Sequence, residues 1–420
     1  MTEPSDWLTL DNAAKIYPSS NTEEAPQVFR LRCDFLRPIR YEALEEALAA
    51  MMKRCPYFQV SLKRGLFWYY LQRHDAVPPI RLLDEEHITP IRVREDQHLL
   101  SVKIRGNRLA VDFSHVLTDG AGGLRFLLSL LTVYLRRRGE SVESPDGFLD
   151  PDSPPGPEEA VDAHKASFVR SSPAPAGLDT AFHLPGKRPT PGYYRIVTGI
   201  LEVDALRSKA KSAGVSMTEY IVASYIWTLL KLREGVSGRR ASAVRIEVPV
   251  NMRPIQGTDT MRNFSLFVSP SVDTRLGDFS FEELLPRIHH TMRSQLDRKE
   301  LLRQIGRNVR GELNPIVRIM PLFAKDLLLS VMHKRLGPSL YSGVVSNLGP
   351  IRLPPSVEEH VDSFRFFLGP SPEMKTNCSV LSFGGKLYLS VGNVLESRDF
   401  ERTFFYHLRD QGLTPVITEE

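Results

Sequence analysis

Apolar and polar residues alternate with a period of two in several short segments of the N-terminal third, and they recur at helical spacing in another. A period of two is typical of strands that bury one face, whereas apolar residues three and four apart are typical of an amphipathic helix. The pattern predicts a helix over residues 41–53 and strands over 27–35, 57–62, 66–71 and 98–105. We therefore expect helices packed on a sheet in this part of the chain.

The segment 108–131 combines a strand, a histidine, a tight turn and the start of a helix. Residues 109–114 alternate between apolar and polar or small side chains, which predicts a strand that ends near His115. Asp119 and Gly120 form a turn signal, and leucines then recur at helical spacing. His115 is therefore expected at the rim of a rigid scaffold. The His-x-x-x-Asp-Gly spacing is weak by itself, and a structural histidine beside an ordinary turn explains this window equally well.

The C-terminal half again alternates strands with helices. Ser216 and Glu219 form a capping box that opens an apolar helix reaching to about residue 232. The pattern also predicts strands over 194–203, 244–250 and 341–350, the last running into a turn, and helical regions over 281–307 and 315–333. Both halves of the chain are thus expected to mix α and β structure.

The composition changes between the two halves. Residues 146–192 contain proline- and glycine-rich runs such as DPDSPPGP and LPGKRPTPG, which disfavour regular elements. A chain of 420 residues also exceeds what one hydrophobic core usually organises. We therefore predict two domains, 1–145 and 193–420, joined by a linker over 146–192.

An internal repeat relates the two halves. KLYLSVGNVLES at 386–397 aligns with RLAVDFSHVLTD at 108–119, with leucine at the second position and valine and leucine at the ninth and tenth. Asn393 aligns with His115 and Ser397 with Asp119, so only the first copy keeps an ionisable pair. The repeat predicts a pseudo-twofold pair of α/β halves with a cleft between them.

Composition and charge exclude several classes of function. The formal net charge is +4 and the basic residues are scattered, which does not indicate nucleic-acid binding. The start of the chain lacks the basic and apolar regions of a signal peptide, and no apolar run approaches the length of a membrane span. We therefore expect a cytoplasmic protein without a membrane span. The three cysteines are distant in sequence, which argues against disulfides and a thiolate zinc site.

Three motifs together resemble the coenzyme-A-dependent acyltransferase superfamily. They are HVLTDG from His115 to Gly120, VPVNMRP at 248–254, and SNLGP at 346–350. This superfamily includes chloramphenicol acetyltransferase, plant acyltransferases, condensation domains and alcohol acetyltransferases. LDNAAKIYP at 10–18 and RGLFWYYL at 64–71 resemble the alcohol acetyltransferase-like branch. Two features depart from the relatives: Ser114 replaces the extra histidine typical of condensation domains, and the Asp-Phe-Gly-Trp-Gly signature of the plant enzymes is absent.

The resemblance implies two chloramphenicol-acetyltransferase-like subdomains with a channel between them, which donor and acceptor enter from opposite mouths. It also implies an acyl-CoA donor, a small-molecule alcohol or amine acceptor, and no metal. His115 would act as a general base, taking a proton from the acceptor and returning it to the departing thiolate. Ser346, Asn347 or a backbone N–H in their turn would stabilise the oxyanion.

The resemblance implies a structural role for Asp119 and Arg253. It implies that the Asp119 carboxylate, in the turn before Gly120, meets Arg253 across the two halves and fixes the placement of His115. Without the resemblance, Arg253 is equally well explained as a surface arginine after a strand.

Other interpretations remain open at this point. Gly120, Gly122 and Gly123 lie before a helix, where glycines sometimes cradle a phosphate, but they lack a recognised phosphate-binding spacing. His289 and His290 are adjacent, as in some metal sites, although a solvated helix face is the more economical interpretation. Met252 is expected to be packing.

Two other functions compete with the interpretation as an acyltransferase that uses acyl-CoA. One is a condensation or acyl-transfer module that depends on a carrier protein, and the other is a non-catalytic protein that binds acyl thioesters. The intact pair of His115 and Asp119 favours catalysis, and free acyl-CoA is favoured over a carrier protein as the donor.

Overall fold

The computed structural model describes residues 6–83, 97–170, 178–236 and 242–420, with the backbone alone for 331–336. The strands are β1 (Trp7–Thr9), β2 (Val28–Phe35), β3 (Val60–Arg64), β4 (Tyr69–Arg73), β5 (Ile80–Leu82), β6 (Leu100–Arg105), β7 (Arg108–Ser114), β8 (Arg195–Glu202), β9 (Ala243–Asn251), β10 (Ser265–Val268), β11 (Ser271–Asp273), β12 (Gly343–Pro350), β13 (Val361–Leu368), β14 (Thr376–Phe383), β15 (Lys386–Asn393) and β16 (Val416–Glu419). The helices are α1 (Tyr17–Ser20), α2 (Tyr41–Arg54), α3 (Gly120–Arg137), α4 (Ala163–Ala166), α5 (Val203–Ser212), α6 (Met217–Glu234), α7 (Arg253–Gln256), α8 (Phe281–Gln295), α9 (Arg298–Leu313), α10 (Pro315–Ile319), α11 (Leu322–Leu336), α12 (Pro355–Glu358) and α13 (Asp399–Asp410). Short 3₁₀ turns occupy Ala14–Ile16, Thr274–Leu276 and Pro338–Leu340.

The strands form two large sheets and one small one. The first large sheet has the order β13-β2-β7-β6-β5, and the second has the order β10-β9-β12-β14-β15-β8-β16, with β11 also paired to β9. The small sheet has the order β1-β4-β3. Parallel neighbours occur at β5 with β6 and at β12 with both β9 and β14. The other pairs are antiparallel, so these mixed sheets and their helices confirm the predicted α/β class.

Each large sheet packs against its own helices. In α2, Leu44, Leu48 and Met51 recur at helical spacing and are buried against the first sheet, together with α3. On the second sheet, α6 and α13 supply Ile221 and Phe404 to a separate core. Two cores allow a chain of this length to bury its apolar residues.

The internal repeat corresponds to equivalent elements in the two halves. The first half contains a strand and helix, β2 and α2, followed by the hairpin β6–β7 and helix α3. The second half contains β8 and α5, followed by the hairpin β14–β15 and helix α13. Asn393 ends β15 where His115 follows β7, and its amide donates to the Glu401 carboxylate at 2.8 Å. The second copy therefore keeps the strand and helix but uses the position for a structural contact.

The two halves are joined more closely than a simple linker requires. Strand β13, from the C-terminal half, pairs with β2 in the first sheet. Within the predicted linker 146–192, residues 171–177 lie outside the described residues. Of the rest, Glu159 forms an ion pair with Arg54 at 2.7 Å, and His183 Nε2 lies 2.8 Å from the carbonyl oxygen of Tyr341. The described part of this segment is therefore packed against both halves.

Both long helical regions predicted in the second half are broken. The first divides into α8 and α9, where the Asp297 carboxylate accepts from the N–H of Lys299 and caps α9. The second divides into α10 and α11, because Pro321 holds the preceding Met320 in an extended conformation. The predicted capping box at α6 is present. None of the helices in the described ranges is long and apolar enough to cross a membrane.

Candidate active site

His115 lies at the joint between β7 and α3. The strand ends at Ser114, and the chain turns through 115–117 before the helix begins at Gly120. The His115 N–H donates to the carbonyl of Gln27 at 2.8 Å, and its carbonyl accepts from the Asn263 amide at 2.9 Å. Both halves of the chain thus hold the backbone of this residue.

The imidazole of His115 is half-buried between aromatic rings. The ring of Tyr17 is stacked on it with 5.2 Å between centroids, and the ring of Phe29 lies at 5.0 Å. Its Nδ1 is buried and makes no hydrogen bond to the part of the chain that the structure describes. Burial lowers the pKa of His115 to about 4, although the Asp119 charge and the Thr118 backbone oppose this shift. The imidazole is therefore neutral at neutral pH.

The carboxylate of Asp119 is bound by several donors, and the imidazole of His115 is not among its partners in the described part of the chain. The carboxylate caps α3 by accepting from the N–H of Gly122 at 3.1 Å, and it accepts from the N–H of Phe264 at 2.7 Å. Arg253 spans both of its oxygens, with nitrogen–oxygen distances of 3.0 and 2.9 Å. Burial by itself would raise the pKa of Asp119, but these partners outweigh it and hold the pKa below its usual value.

Arg253 connects the turn to the second half of the chain. Besides Asp119, its guanidinium donates to the carbonyls of Thr260 and Arg262 at 2.7 and 2.6 Å. Its side chain is 13% exposed, so the structure does not place it as a surface arginine. The ion pair of Asp119 and Arg253 therefore joins the start of α3 at Gly120 to the start of the short helix α7.

The glycines at the start of α3 serve close packing. A methyl group added at Gly120 would lie 2.8 Å from the Leu348 side chain, and one at Gly122 would lie 2.7 Å from the carbonyl oxygen of Met261. A methyl group at Gly123 would lie 2.9 Å from the ring of Phe29. The contacts with Leu348 and Met261 bring the turn against the second half, and all three contacts give the glycines a role that needs no phosphate.

Ser346 and Asn347 point to opposite faces of β12. Val345, two residues before Asn347, is buried in the core against α6, and successive side chains alternate across a strand. Ser346 is therefore on the face away from that core, and its neighbour Leu348 reaches Gly120. The Asn347 amide instead donates to the hydroxyl of Thr218 at 2.9 Å, at the start of α6.

Asn347 also lines a cavity of about 270 Å³ on the α6 side of the second sheet. Polar residues of this cavity include Thr218, Glu219 and Arg293, and Val248 and Met292 form part of its apolar wall. The side chain of Asn347 thus belongs to this cavity.

Tyr17 and Glu247 were missed by the sequence analysis. Tyr17 was noted only within a motif, yet its ring packs on His115. Glu247 is half-buried in β9, and burial raises its pKa to about 7. Burial also raises the pKa of Tyr17, and the charge of Glu247 adds to the rise. Arg245, Glu247 and Pro249 alternate with valine and isoleucine in the sequence, which resembles an ordinary solvated strand face.

The remaining candidates have structural contacts. His289 Nδ1 lies 3.1 Å from the carboxylate of Glu219, and His290 is exposed beside it on α8. No group of three potential metal ligands occurs among the residues that the structure describes. Met252 is fully buried and packs in a small core with Phe264.

Comparison with known proteins gives matches in structure alone. No protein family and no curated protein matches the sequence. F. graminearum TRI101, solved with coenzyme A and deoxynivalenol, is 12% identical, with 97% of this chain and 99% of that chain covered and a TM-score of 0.63. Polyketide synthase associated protein 5 from Mycobacterium tuberculosis is 16% identical, with 96% and 97% covered and a TM-score of 0.60. The condensation domain of the monacolin K polyketide synthase MokA is 12% identical, with 97% of each chain covered and a TM-score of 0.60.

These matches extend over nearly the whole chain, so they show its fold. The chain has the two-subdomain fold of the chloramphenicol acetyltransferase-like acyltransferases and condensation domains. The resemblance predicted from the sequence is confirmed at the level of the fold.

Proposed function

We propose that this protein is an acyltransferase that moves an acyl group, acetyl or another short chain, from acyl-CoA to the hydroxyl of a small-molecule alcohol. The observation that carries the proposal is the neutral imidazole of His115 at a strand end, with the neighbouring carboxylate of Asp119 already committed to Arg253. A neutral, rigidly placed imidazole is the form that a general base requires.

The proposed reaction uses no covalent enzyme intermediate. Because Nδ1 of His115 is buried, Nε2 is the nitrogen that takes the proton of the acceptor hydroxyl. The acceptor oxygen attacks the thioester carbonyl and forms a tetrahedral oxyanion. Collapse of this species breaks the carbon–sulfur bond, and the imidazolium returns its proton to the departing thiolate. The products are an ester and free coenzyme A.

Ser346 is our candidate for the donor to the oxyanion. It lies on the face of β12 that carries Leu348 against Gly120, so its hydroxyl is on the same side of the strand as the turn after His115. Asn347, the other candidate from the sequence, has its amide engaged with Thr218 on the opposite face. We therefore assign the oxyanion role to Ser346 and a structural role to Asn347.

A screen for release of free thiol tests the reaction. Acetyl-CoA and longer acyl-CoA thioesters are each incubated with a panel of small alcohols and amines, and the ester or amide is identified by mass spectrometry. We expect thiol release that depends on an alcohol and that matches ester formation in amount. The same panel is run with an acylated carrier protein as the donor. Transfer from the carrier and never from the CoA thioester would establish the carrier-dependent alternative, and tight thioester binding without transfer would establish a non-catalytic protein.

The pH dependence of the reaction provides a second prediction. The neutral form of His115 exists above its pKa of about 4, so activity that depends on it is retained across the neutral range and is lost as the pH falls through this value. Glu247, with a pKa of about 7, is the group expected to titrate near neutrality. We expect any inflection near pH 7 in kcat/KM for the acceptor to disappear in Glu247→Gln.

The pH profile of kcat/KM in the Glu247→Gln variant distinguishes the titration of His115 from that of Glu247. It is expected to be flat from mildly acidic to mildly alkaline pH, with circular dichroism used to exclude acid unfolding. An inflection near the ordinary histidine pKa of about 6.5 in this variant would contradict the lowered pKa of His115.

A further inference from the structure

Helix α11 packs with polar residues inward. Leu322, Lys325, Asp326 and Leu329 share one face of the helix by their spacing of three and four residues. This face contacts α1 and the turn of the β3–β4 hairpin, where the N–H of Leu322 donates to the carbonyl of Leu66 at 2.9 Å. The side of the helix that is turned to the protein is thus partly charged.

The inward charges have specific partners that fix this orientation. Lys325 is buried, and its ammonium group donates to the carbonyl of Phe67 at 2.7 Å and lies 3.7 Å from the centre of the Trp68 ring. The Asp326 carboxylate accepts from Arg64 at 3.0 Å and from the hydroxyl of Ser19 at 2.8 Å. Turning the helix over would break these contacts.

The outward residues of α10 and α11 are large and apolar. Phe323 is 72% exposed and Leu327 is 70% exposed, one helical turn apart. In α10, Ile316 and Ile319 are about equally exposed, and Leu66 in the hairpin turn is exposed beside Leu322. We call these five residues the apolar ridge. Scattered apolar side chains on a surface are ordinary, but a cluster carried by consecutive helices marks an interaction site.

Basic residues accompany the ridge. The segment 298–330 contains seven Lys and Arg against three Asp and Glu, a formal charge of +4 that equals the net charge of the entire chain. Arg310 and Arg318 are exposed at α9 and α10, and Arg64 is exposed next to the hairpin turn. A second copy of this chain would bring like charges together, whereas an anionic surface would complement them.

We propose that the apolar ridge, with Arg318, docks the protein on the surface of an anionic lipid bilayer. The apolar side chains enter the boundary between headgroups and acyl chains, and the guanidinium group of Arg318 meets lipid phosphates. The inner face of the same helix binds Ser19, two residues after the Tyr17 ring that packs on His115, so α11 connects the docked surface to the segment that carries Tyr17. This docking goes beyond the proposed reaction and does not depend on it.

Vesicle flotation with the full chain tests the proposal. The probes are vesicles of phosphatidylcholine alone and vesicles of phosphatidylcholine mixed with phosphatidylglycerol. The ridge variant is Ile319→Ser, Phe323→Ser and Leu327→Ser together, and the matched control is Leu36→Ser, Leu82→Ser and Leu276→Ser, three leucines exposed elsewhere. We expect the wild type and the control to float with the anionic vesicles, and the partition of the ridge variant to fall by about tenfold or more. Arg318→Glu and added salt should each weaken binding severalfold.

Thermal unfolding and light scattering complete the experiment. All variants should keep the unfolding temperature of the wild type, because the substituted residues are exposed. A wild type that does not prefer anionic over neutral vesicles would overturn the proposal, and so would equal losses in the ridge variant and the control. A wild-type dimer that becomes a monomer in the ridge variant, without vesicle binding, would instead assign the ridge to a second copy of this chain.

Discussion

Replacement of His115 by alanine is expected to lower kcat by about a hundredfold or more while the fold is retained. The loss follows because the hydroxyl of an alcohol is a poor nucleophile until a base takes its proton. The fold should survive because the ring contributes stacking on Tyr17 and Phe29, whereas hydrogen bonds of the backbone hold the turn. Initial rates of thiol release, with circular dichroism of the same samples, measure both effects.

Two further variants show whether the loss comes from the base itself. His115→Gln fills much of the space of the imidazole without providing a base of useful strength, so it should lose activity as His115→Ala does. His290→Ala removes an exposed histidine on α8 and should retain wild-type rates. Near-full activity of either His115 variant on the true acceptor would remove His115 from the mechanism and leave positioning of the substrates as the source of catalysis.

The unit around His115 could be predicted because it is local in sequence. The alternation of β7, the turn at Asp119 and the leucines of α3 lie within one short segment, and each is a signal of its own local structure. The repeat at β15 could be predicted for the same reason, since it compares two short segments. The prediction of an unbroken helix over 315–333 is wrong because Pro321 disfavours helix in the residue before it. This signal is present in the sequence.

Other parts of the site depend on contacts between distant segments. Tyr17 approaches His115 from a separate element, and no pattern within its segment indicates that approach. The different roles of Ser346 and Asn347 depend on which face of β12 packs against α6. A shift of the strand register by one residue would exchange the faces on which the two side chains lie. The packing of α11 is likewise invisible to periodicity, because the inward face of the helix combines Leu322 with the charged Lys325.

The ion pair of Asp119 and Arg253 is expected to contribute more to stability than any exposed ion pair in the described part of the chain. Both side chains are largely buried, so removing one partner leaves the other as an unpaired buried charge. Such a loss typically costs about 3–5 kcal/mol in the free energy of unfolding. We expect Asp119→Ala and Arg253→Ala each to lower the free energy of unfolding by about this amount, as measured by urea denaturation.

The double variant Asp119→Ala and Arg253→Ala distinguishes the stability contributed by the ion pair from that contributed by the other contacts of the two residues. It should be destabilised by less than the sum of the two single variants, because neither charge is then left without its partner. It should not return to wild-type stability, since Arg253 also binds the carbonyls of Thr260 and Arg262, and Asp119 also caps α3. Activity should fall in both single variants, because the pair holds the turn that places His115.

Arg125 and Asp259 provide a matched control for this cycle. Their charged atoms lie 3.6 Å apart, and the Asp259 side chain is 81% exposed, so solvent screens the interaction. A cycle on this exposed pair should give a coupling free energy of about 1 kcal/mol or less. If the cycle on Asp119 and Arg253 gave an equally small coupling, while activity still fell in Asp119→Ala, the carboxylate would act on the histidine directly and the structural role assigned to it would be wrong.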